Sequence, residues 1–309
     1  MAVNKNGIVV VGAVFVDIKG FPISQYIPGG RNAGNIKQVH GGVCRNIAED
    51  IANLELRPTL ISLVDDSGIG ADVIYKLQRH KVNTEYMRAK TDGMGTWLAI
   101  FDNGGDVTAS ISKRPDLMPI CDILDEKGDE IFSECDSIVF EMDIEKEIAK
   151  KLFYYAEKYN KKIYCPVSNI SIASERRDFL RLVDCFVCND HEAEMLFYDN
   201  FEDLSIEEIL EKLKQNVRNA DLNSMVVTLG ERGAVWADKF GESGYCPAKR
   251  VDVRDTTGAG DSFFAGVASA LTYGKNLDEA CEIGSRLAAS VITTTDNVCP
   301  RFLPGELGL

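Results

Sequence analysis

The chain has 309 residues, of which 45% are apolar, so it is long enough and apolar enough to bury a sizeable core. Asp and Glu outnumber Lys and Arg by 48 to 34, and the resulting net charge of -14 argues against partners such as nucleic acid or an anionic membrane. The nine cysteines follow no compact spacing, which favours a reduced, cytoplasmic protein over a disulfide scaffold.

Strand and helix patterns follow one another from the N-terminus. The buried-looking run at residues 8–16 predicts a first strand and is too short to span a membrane. Further strands are predicted at 59–64, 96–101 and 107–111, and helices at 43–56 and 71–79. The sequence Asp102-Asn103-Gly104-Gly105 predicts a hairpin turn between the last two strands.

The C-terminal half alternates strands and helices more regularly. Strands are predicted at 137–140, 162–165, 184–188, 225–229 and 233–237, and helices at 145–159, 190–197, 205–213, 258–271 and 277–293. This rhythm predicts a mostly parallel sheet covered by helices on both faces, in one domain spanning residues 1–309. Two insertions, about 18–40 and 93–113, break the rhythm and predict a small β-lid over the site.

Ligands of an open parallel sheet bind beyond the carboxyl ends of its strands. Asp17 closes the first predicted strand, where a carboxylate can hold two adjacent sugar hydroxyls, although a surface loop acid fits the same pattern. Gly41 and Gly42 precede the helix that carries Asn46, so backbone and amide can approach a ligand closely, unless the pair is an ordinary turn. The side chain of Arg45 either faces the substrate or lies on the outer surface of the helix.

Asn189 and Glu192 follow another predicted strand and share one face of the helix that begins there. The two side chains are suited to holding Mg²⁺ through water. The same spacing equally fits a capping box, with Asn189 as the N-cap and Glu192 as its partner. Thr228 and Gly230 end a further strand and are candidate nucleotide contacts.

The most distinctive segment is residues 255–266, Asp-Thr-Thr-Gly-Ala-Gly-Asp-Ser-Phe-Phe-Ala-Gly. Gly258, Ala259 and Gly260 leave backbone N–H groups uncovered at the start of an apolar helix, and a helix N-terminus attracts phosphate. Asp261 follows at once and would lie beside a bound phosphate, within reach of an approaching hydroxyl. An anion-binding turn beside a proton acceptor predicts phosphoryl transfer to an alcohol.

Two segments carry a family resemblance, Gly-Gly-Val-Cys-Arg-Asn-Ile-Ala-Glu at 41–49 and Asp-Thr-Thr-Gly-Ala-Gly-Asp-Ser-Phe at 255–263. With these, the chain resembles the ribokinase-like, or phosphofructokinase B-type, carbohydrate kinases along its length. The first segment is most similar to that of the pseudouridine kinases. Cys165-Pro166-Val167-Ser168 also resembles their Asp-Pro-Val-Ser, with Cys165 in place of the Asp.

The resemblance implies a three-layer α/β/α fold with a mostly parallel sheet and a β-lid. It further implies roles for the following residues: Asp261 as general base, Gly258, Ala259 and Gly260 as the anion hole, Asp17, Gly41, Gly42 and Asn46 as the sugar site, Asn189, Thr228 and Gly230 at ATP, and Asn189 with Glu192 at Mg²⁺. Many relatives also hold a monovalent cation, such as K⁺, near the positions of Asp255, Thr257 and the 291–297 segment.

The expected reaction is ATP-dependent phosphorylation of a sugar or nucleoside hydroxyl, with pseudouridine, phosphorylated at its 5′-hydroxyl, as the leading substrate. A ribokinase or another sugar kinase is the alternative within the enzyme class. A non-catalytic sugar or nucleoside sensor is the alternative outside it, and Asp261 argues against it because a sensor needs no base. The exposed lid sheet suggests a homodimer formed across a two-fold axis.

Overall fold

The computed structural model describes residues 6–104, 107–303 and 305–309. The strands are β1 (Ile8–Val11), β2 (Phe15–Pro22), β3 (Gly34–Gly41), β4 (Thr59–Val64), β5 (Met87–Ala89), β6 (Gly95–Phe101), β7 (Val107–Lys113), β8 (Ser137–Phe140), β9 (Lys162–Pro166), β10 (Cys185–Asn189), β11 (Ser224–Thr228), β12 (Ala234–Asp238) and β13 (Ser243–Cys246). The helices are α1 (Val43–Asn53), α2 (Gly68–Arg79), α3 (Ile120–Glu134), α4 (Lys146–Tyr159), α5 (Ile170–Ser174), α6 (Arg177–Leu180), α7 (Asp190–Phe197), α8 (Ile206–Asn219), α9 (Ala259–Thr272) and α10 (Leu277–Ile292).

Nine of the described strands form the main sheet, in the order β13-β12-β11-β10-β9-β8-β1-β4-β5. The strands from β11 to β5 run parallel, and β12 and β13 are antiparallel additions at one edge. Such a sheet needs helices on both faces, because parallel strands are joined by crossovers that return over the sheet.

Alternate side chains of the central strands belong to two separate hydrophobic cores, one on each face of the sheet. Val9 and Val11 of β1 join the core beneath α3, α4 and α8, whereas Ile8 and Val10 join the core beneath α1, α9 and α10. The two-residue period of a strand produces this division, since successive side chains point to opposite faces. The architecture is therefore the three-layer α/β/α arrangement predicted from the sequence.

Four strands form the lid, in the order β3-β2-β6-β7. β2 pairs with β3 antiparallel and with β6 parallel, and β7 closes the hairpin with β6. The lid was predicted at about 18–40 and 93–113, but its first strand already begins at Phe15. The predicted hairpin turn includes Gly105, which lies outside the described residues.

The prediction of one strand over residues 8–16 was wrong. The run forms two strands in two sheets, β1 in the main sheet and β2 in the lid, with Gly12–Val14 between them. Asp17 therefore lies within a lid strand and does not close the first strand of the main sheet. The short strands β5 and β13 and the helix α3 were not predicted.

Among the described helices, none combines the length and the apolar character that crossing a membrane requires.

Candidate active site

Gly258 forms the turn into α9. It is the N-cap residue with φ of +83°, and a Cβ atom there would lie 2.2 Å from the carbonyl oxygen of Asn297, so both conformation and space require glycine. The N–H of Ala259 donates to Thr256 at 3.2 Å and closes the turn. Within residues 6–104, 107–303 and 305–309, the N–H groups of Gly258 and Gly260 have no acceptor, so these two remain open for an anion.

Asp261 lies in the first turn of α9 and reaches a residue far away in the sequence. Its Oδ2 accepts a hydrogen bond of 2.6 Å from Nδ2 of Asn46 on α1. Burial raises the pKa of Asp261 to about 6, while Asn46 and Arg45 act to lower it and Asp17 acts to raise it. The structure thus brings together three of the predicted residues, Asp17, Asn46 and Asp261, with the carboxylate of Asp261 largely withdrawn from solvent.

Asp17 projects from β2 toward this group and lies against Gly41. A Cβ atom on Gly41 would lie 2.6–2.7 Å from the carboxylate atoms of Asp17, so glycine is needed for the carboxylate to occupy its place. Burial raises the pKa of Asp17, and Lys19 and Arg45 partly offset that effect. Gly42 is the N-cap residue of α1, which places Asn46 one turn further along the helix.

Neither position predicted for Arg45, facing a substrate or on the outer surface of α1, is correct, because its side chain is fully buried. Its guanidinium forms an ion pair with Glu49 and donates to the carbonyl of His40 at 2.8 Å, to Oδ1 of Asn46 and to Oδ1 of Asn297 at 3.3 Å. A planar guanidinium with five donors is suited to such a junction. The i,i+4 spacing of Arg45 and Glu49 could have predicted their ion pair from the sequence, but it could not have predicted burial, because such pairs usually lie on helix surfaces.

Asp50, which follows Glu49 on α1, connects α9 to the C-terminal loop. Its carboxylate accepts from Oγ of Ser262 at 2.7 Å and from the N–H of Cys299 at 2.6 Å. Burial raises the pKa of Asp50 to about 7. Ser262, the residue that follows Asp261, is therefore held in place by a second, buried carboxylate.

Glu141 and Asp143 form an acidic pair that the sequence analysis did not identify. They follow β8, so they lie at the carboxyl edge of the main sheet beside β1, and Glu141 accepts from the N–H of Ala13 at 3.1 Å. Oγ of Ser168 lies 2.9 Å from Glu141 and 2.8 Å from Asp143, and Arg114, just after β7, forms an ion pair with Asp143. The strand-end rule applied to Asn189 would have found both acids.

Thr228 and Gly230 line a cavity of about 760 Å³ that reaches Ala259 and Gly260 at the start of α9. Apolar side chains cover much of its wall, including Val251, Val253, Ala288 and Ile292. One end of the cavity thus presents the open backbone N–H of Gly260, and the rest has the apolar lining that suits a flat ring system.

Asn189 and Glu192 form a complete capping box. Oδ1 of Asn189 accepts from the N–H of Glu192 at 2.8 Å, and Oε2 of Glu192 accepts from the N–H of Asn189 at 2.8 Å. Among the described residues none donates a hydrogen bond to Oε1 of Glu192, and burial raises the pKa of this carboxyl, with Asp143 among the charges that add to the effect. A carboxylate with one free oxygen fits hydrated Mg²⁺, although in the described part of the chain no three metal-binding side chains gather around one point.

Asp255 and Thr257 lie beside the segment that follows α10. The N–H of Asp255 lies 3.4 Å from the carbonyl of Ile292, and Oδ1 of Asp255 accepts from the N–H of Thr257 at 2.9 Å. The carboxylate of Asp255 is therefore engaged within its own turn. Any cation held there would be bound mainly by carbonyl oxygens of the two segments.

A family model for pfkB family carbohydrate kinases matches residues 5–298. The chain belongs to the pfkB family. It is therefore a phosphotransferase with an alcohol group as acceptor, and its substrates are of the sugar or nucleoside class. The family assignment confirms the resemblance drawn from the two segments at 41–49 and 255–263.

Two relatives indicate how widely the family's substrates differ. The chain is 33% identical over 296 residues to a guanosine-inosine kinase of Exiguobacterium acetylicum, covering 94% of this chain and 96% of the relative. It is 26% identical over 279 residues to a pseudouridine kinase of Escherichia coli K12, covering 90% and 87%.

Solved structures match the fold over almost the whole chain. A ribokinase of Arabidopsis thaliana, complexed with ribose and ATP, superposes with a TM-score of 0.82 at 19% identity and covers 96% of each chain. A ribokinase of Thermotoga maritima gives a TM-score of 0.76 at 23% identity, again with 96% coverage of both. These likenesses confirm the ribokinase-like fold.

Proposed function

We propose that this kinase transfers the γ-phosphate of ATP to the 5′-hydroxyl of a nucleoside. The observation that carries the proposal is the meeting of Asp261, Asn46 and Asp17 beside the open N–H groups of Gly258 and Gly260. The 5′-oxygen attacks the γ-phosphorus, a new O–P bond forms, and the bond from the γ-phosphorus to the β,γ-bridging oxygen breaks. The hydroxyl proton passes to Asp261, and ADP leaves with the bridging oxygen.

Asp261 mainly orients the hydroxyl, because an alcohol is too weak an acid to be deprotonated fully before attack. The open N–H groups stabilise negative charge on the transferred group. Asp17 holds the two ribose hydroxyls, and Asn46 holds Asp261 in place. The cavity behind Thr228 and Gly230 receives the adenosine part of ATP. Mg²⁺, held through Glu192 and Asn189, would neutralise charge on the phosphates.

A nucleoside fits better than a free sugar because the face of the lid that carries Asp17 is aromatic. Trp97 lies opposite Asp17 in the β2–β6 register, and Phe101 stacks on Phe21 with ring centroids 4.7 Å apart. A ribose alone leaves these rings in water, whereas a base stacked on them removes apolar surface from solvent.

Guanosine and inosine are the leading substrates because the 33% identical relative carries them in its name. Pseudouridine, the substrate predicted from the sequence, remains the second candidate. The segment Gly41-Gly42-Val43-Cys44-Arg45-Asn46 and the 26% identical pseudouridine kinase support it. The substitution of Cys165 for the Asp of that group stands against it.

The test is ADP release in the presence of ATP and Mg²⁺ with guanosine, inosine, pseudouridine, uridine, adenosine or ribose, each with and without K⁺. We expect at least one nucleoside to exceed ribose in kcat/KM. An Asp261→Asn protein prepared in parallel measures any contaminating kinase. Tight nucleoside binding without turnover of any acceptor would contradict a kinase activity and support the non-catalytic sensor. A preference for ribose would contradict a nucleoside substrate and support a sugar. Stimulation by K⁺ would support a cation at Asp255.

We also propose that two copies of the protein pair through their lids. The face of the lid opposite Asp17 exposes apolar side chains, with Ile36 77% and Ile111 70% exposed. Ile36→Glu with Ile111→Glu should convert a dimer to a monomer in sedimentation velocity. Phe240→Glu, an exposed apolar residue far from the lid sheet, is the control, and a wild-type monomer would contradict the proposal.

A further inference from the structure

The inner face of the lid, defined here by Asp17, Lys19, Phe21, Trp97 and Phe101, is built by alternation along two neighbouring strands. Residues two apart on a strand point the same way, so Lys19 and Phe21 lie on the same side of β2 as Asp17. Trp97 is the register partner of Asp17 on β6, and its ring meets that of Phe101 edge to face with centroids 6.4 Å apart. The inner face thus begins with a carboxylate beside Asp261 and continues as an aromatic surface.

Lys19 is the cation placed between these two parts. Its Nζ lies 5.9 Å from the centre of the Trp97 ring, and its charge lowers the pKa of Asp17 against the effect of burial. Unlike Lys113, which pairs with Asp92, Lys19 has no ion-pair partner within the part of the chain that the structure describes. Its three N–H donors are therefore available to a ligand that covers Trp97.

The order of groups on a nucleoside matches the order of groups on this face. With the 5′-hydroxyl at Asp261 and the ribose hydroxyls at Asp17, the base extends from the remaining ring carbon toward Trp97. One edge of the stacked base then meets Lys19. An ammonium group only donates hydrogen bonds, so it favours a base edge with acceptors and disfavours an edge with an amino group.

We propose that Lys19 selects bases with a carbonyl oxygen at C6 of a purine or C4 of a pyrimidine, as in hypoxanthine, guanine and uracil, over adenine and cytosine, which have an amino group at that position. The edge of a 6-oxopurine offers two acceptors, N7 and O6, whereas adenine offers N7 beside an amino donor. The inference rests on the proposed nucleoside kinase activity. It adds a specificity residue that the two signature segments do not contain.

Lys37 is the nearest competitor for this role. It is the register partner of Lys19 on β3 and lies on the same face, with its Nζ 5.7 Å from the centre of the Phe21 ring. Phe21 lies further along β2 from Asp17 than Lys19 does, and Lys37 is exposed on the neighbouring strand. Lys19 is partly buried and directly beside the ring that faces Asp17, so it is placed closer to a base bound there.

The experiment compares kcat/KM for inosine, adenosine and ribose in the wild-type protein and in Lys19→Met. We expect the inosine-to-adenosine ratio to fall by about 10-fold to 100-fold, as one or two lost base contacts predict, with kcat/KM for ribose unchanged. Lys19→Arg should keep most of the preference. Lys113→Met makes the same change of charge on the opposite face of the lid and should leave the ratio as in the wild type.

Three outcomes would overturn the inference. An unchanged ratio in Lys19→Met means that Lys19 does not read the base, while nucleoside turnover by the wild type leaves the proposed function standing. An equal loss with all three acceptors, ribose included, places Lys19 at the sugar or the phosphates. Failure of the wild type to phosphorylate any nucleoside removes the proposed function and this inference together. Inosine quenching of tryptophan fluorescence, compared in Trp236→Phe and in Trp236→Phe with Lys19→Met so that Trp97 is the only emitter, reports binding independently of turnover.

Discussion

The edge of the main sheet at Asp261 and the inner face of the lid are built by different physical means. At the edge, Arg45, Glu49, Asp50 and Asn46 form a buried charged network around Asp261. On the lid, the inner face consists of aromatic rings beside the lysines Lys19 and Lys37. A buried network fixes geometry, because each unpaired member would be costly. An exposed surface tolerates substitution. We therefore expect substitutions at the sheet edge to impair the reaction, and substitutions on the lid to change which base is preferred.

The largest effect is expected at the catalytic edge. Asp261→Asn should lower kcat by roughly two to four decades, because the amide cannot accept the hydroxyl proton, while ATP binding stays nearly unchanged. Steady-state ADP release and nucleotide titration measure the two effects. Turnover close to that of the wild type would remove Asp261 from the reaction.

Loss of the buried cation should reduce stability more than any change on the lid. Arg45→Met leaves Glu49 buried without its partner and should lower the free energy of unfolding by about 3–5 kcal/mol. Urea denaturation measures this free energy. The double variant Arg45→Met with Glu49→Leu should be more stable than Arg45→Met alone. If the single variant were as stable as wild type, the network would not determine the rigidity of this edge.

On the lid, Trp97→Ala should cost about 1–3 kcal/mol of nucleoside binding, the range for stacking of a base on an aromatic ring. That range corresponds to roughly a 5-fold to 150-fold rise in Kd. Stability and kcat/KM for ribose should hardly change. Isothermal titration with inosine and ribose provides the comparison, and equal losses for both would mean that Trp97 contacts the sugar.

The smallest change is a shift of pH dependence. Because the pKa of Asp261 is raised to about 6 and its ionised form accepts the proton, kcat/KM should fall tenfold per unit below about pH 6. Asn46 lowers that pKa by donating to Asp261, so Asn46→Ser should move the acid limb to higher pH. An acid limb near pH 4, the ordinary range for Asp, would show that burial does not perturb this group.

Much of the fold and the central motif could be predicted because they depend on local patterns. Hydrophobic periodicity placed most strands and helices of the main sheet, and the segment at 255–261 placed the catalytic turn. The first strand was predicted too long because Ala13 and Val14 remain buried where the chain passes from β1 to β2, so hydrophobicity does not mark the end of the strand. α3 was missed because Gly128 interrupts its pattern, although that glycine packs against the ring of Tyr155.

The site was harder to predict where it depends on long-range pairing. Sequence spacing correctly related Gly42 to Asn46, but it could not show that Arg45 points into the protein or that Asp50 contacts Ser262 and Cys299. For Asn189 and Glu192, spacing left a metal site and a capping box equally open. The structure contains the capping box, and the Mg²⁺ role remains a proposal.

The carbonyl of His40 receives hydrogen bonds from both Arg45 and Asn297, at 2.8 and 2.9 Å. The C-terminal end of lid strand β3 is therefore anchored to α1 and to the loop that follows α10. If the lid moves during the proposed reaction, β3 must therefore bend on the N-terminal side of this anchored carbonyl. The backbone at Gly41 and Gly42 would then keep its shape while the lid residues that precede His40 change position.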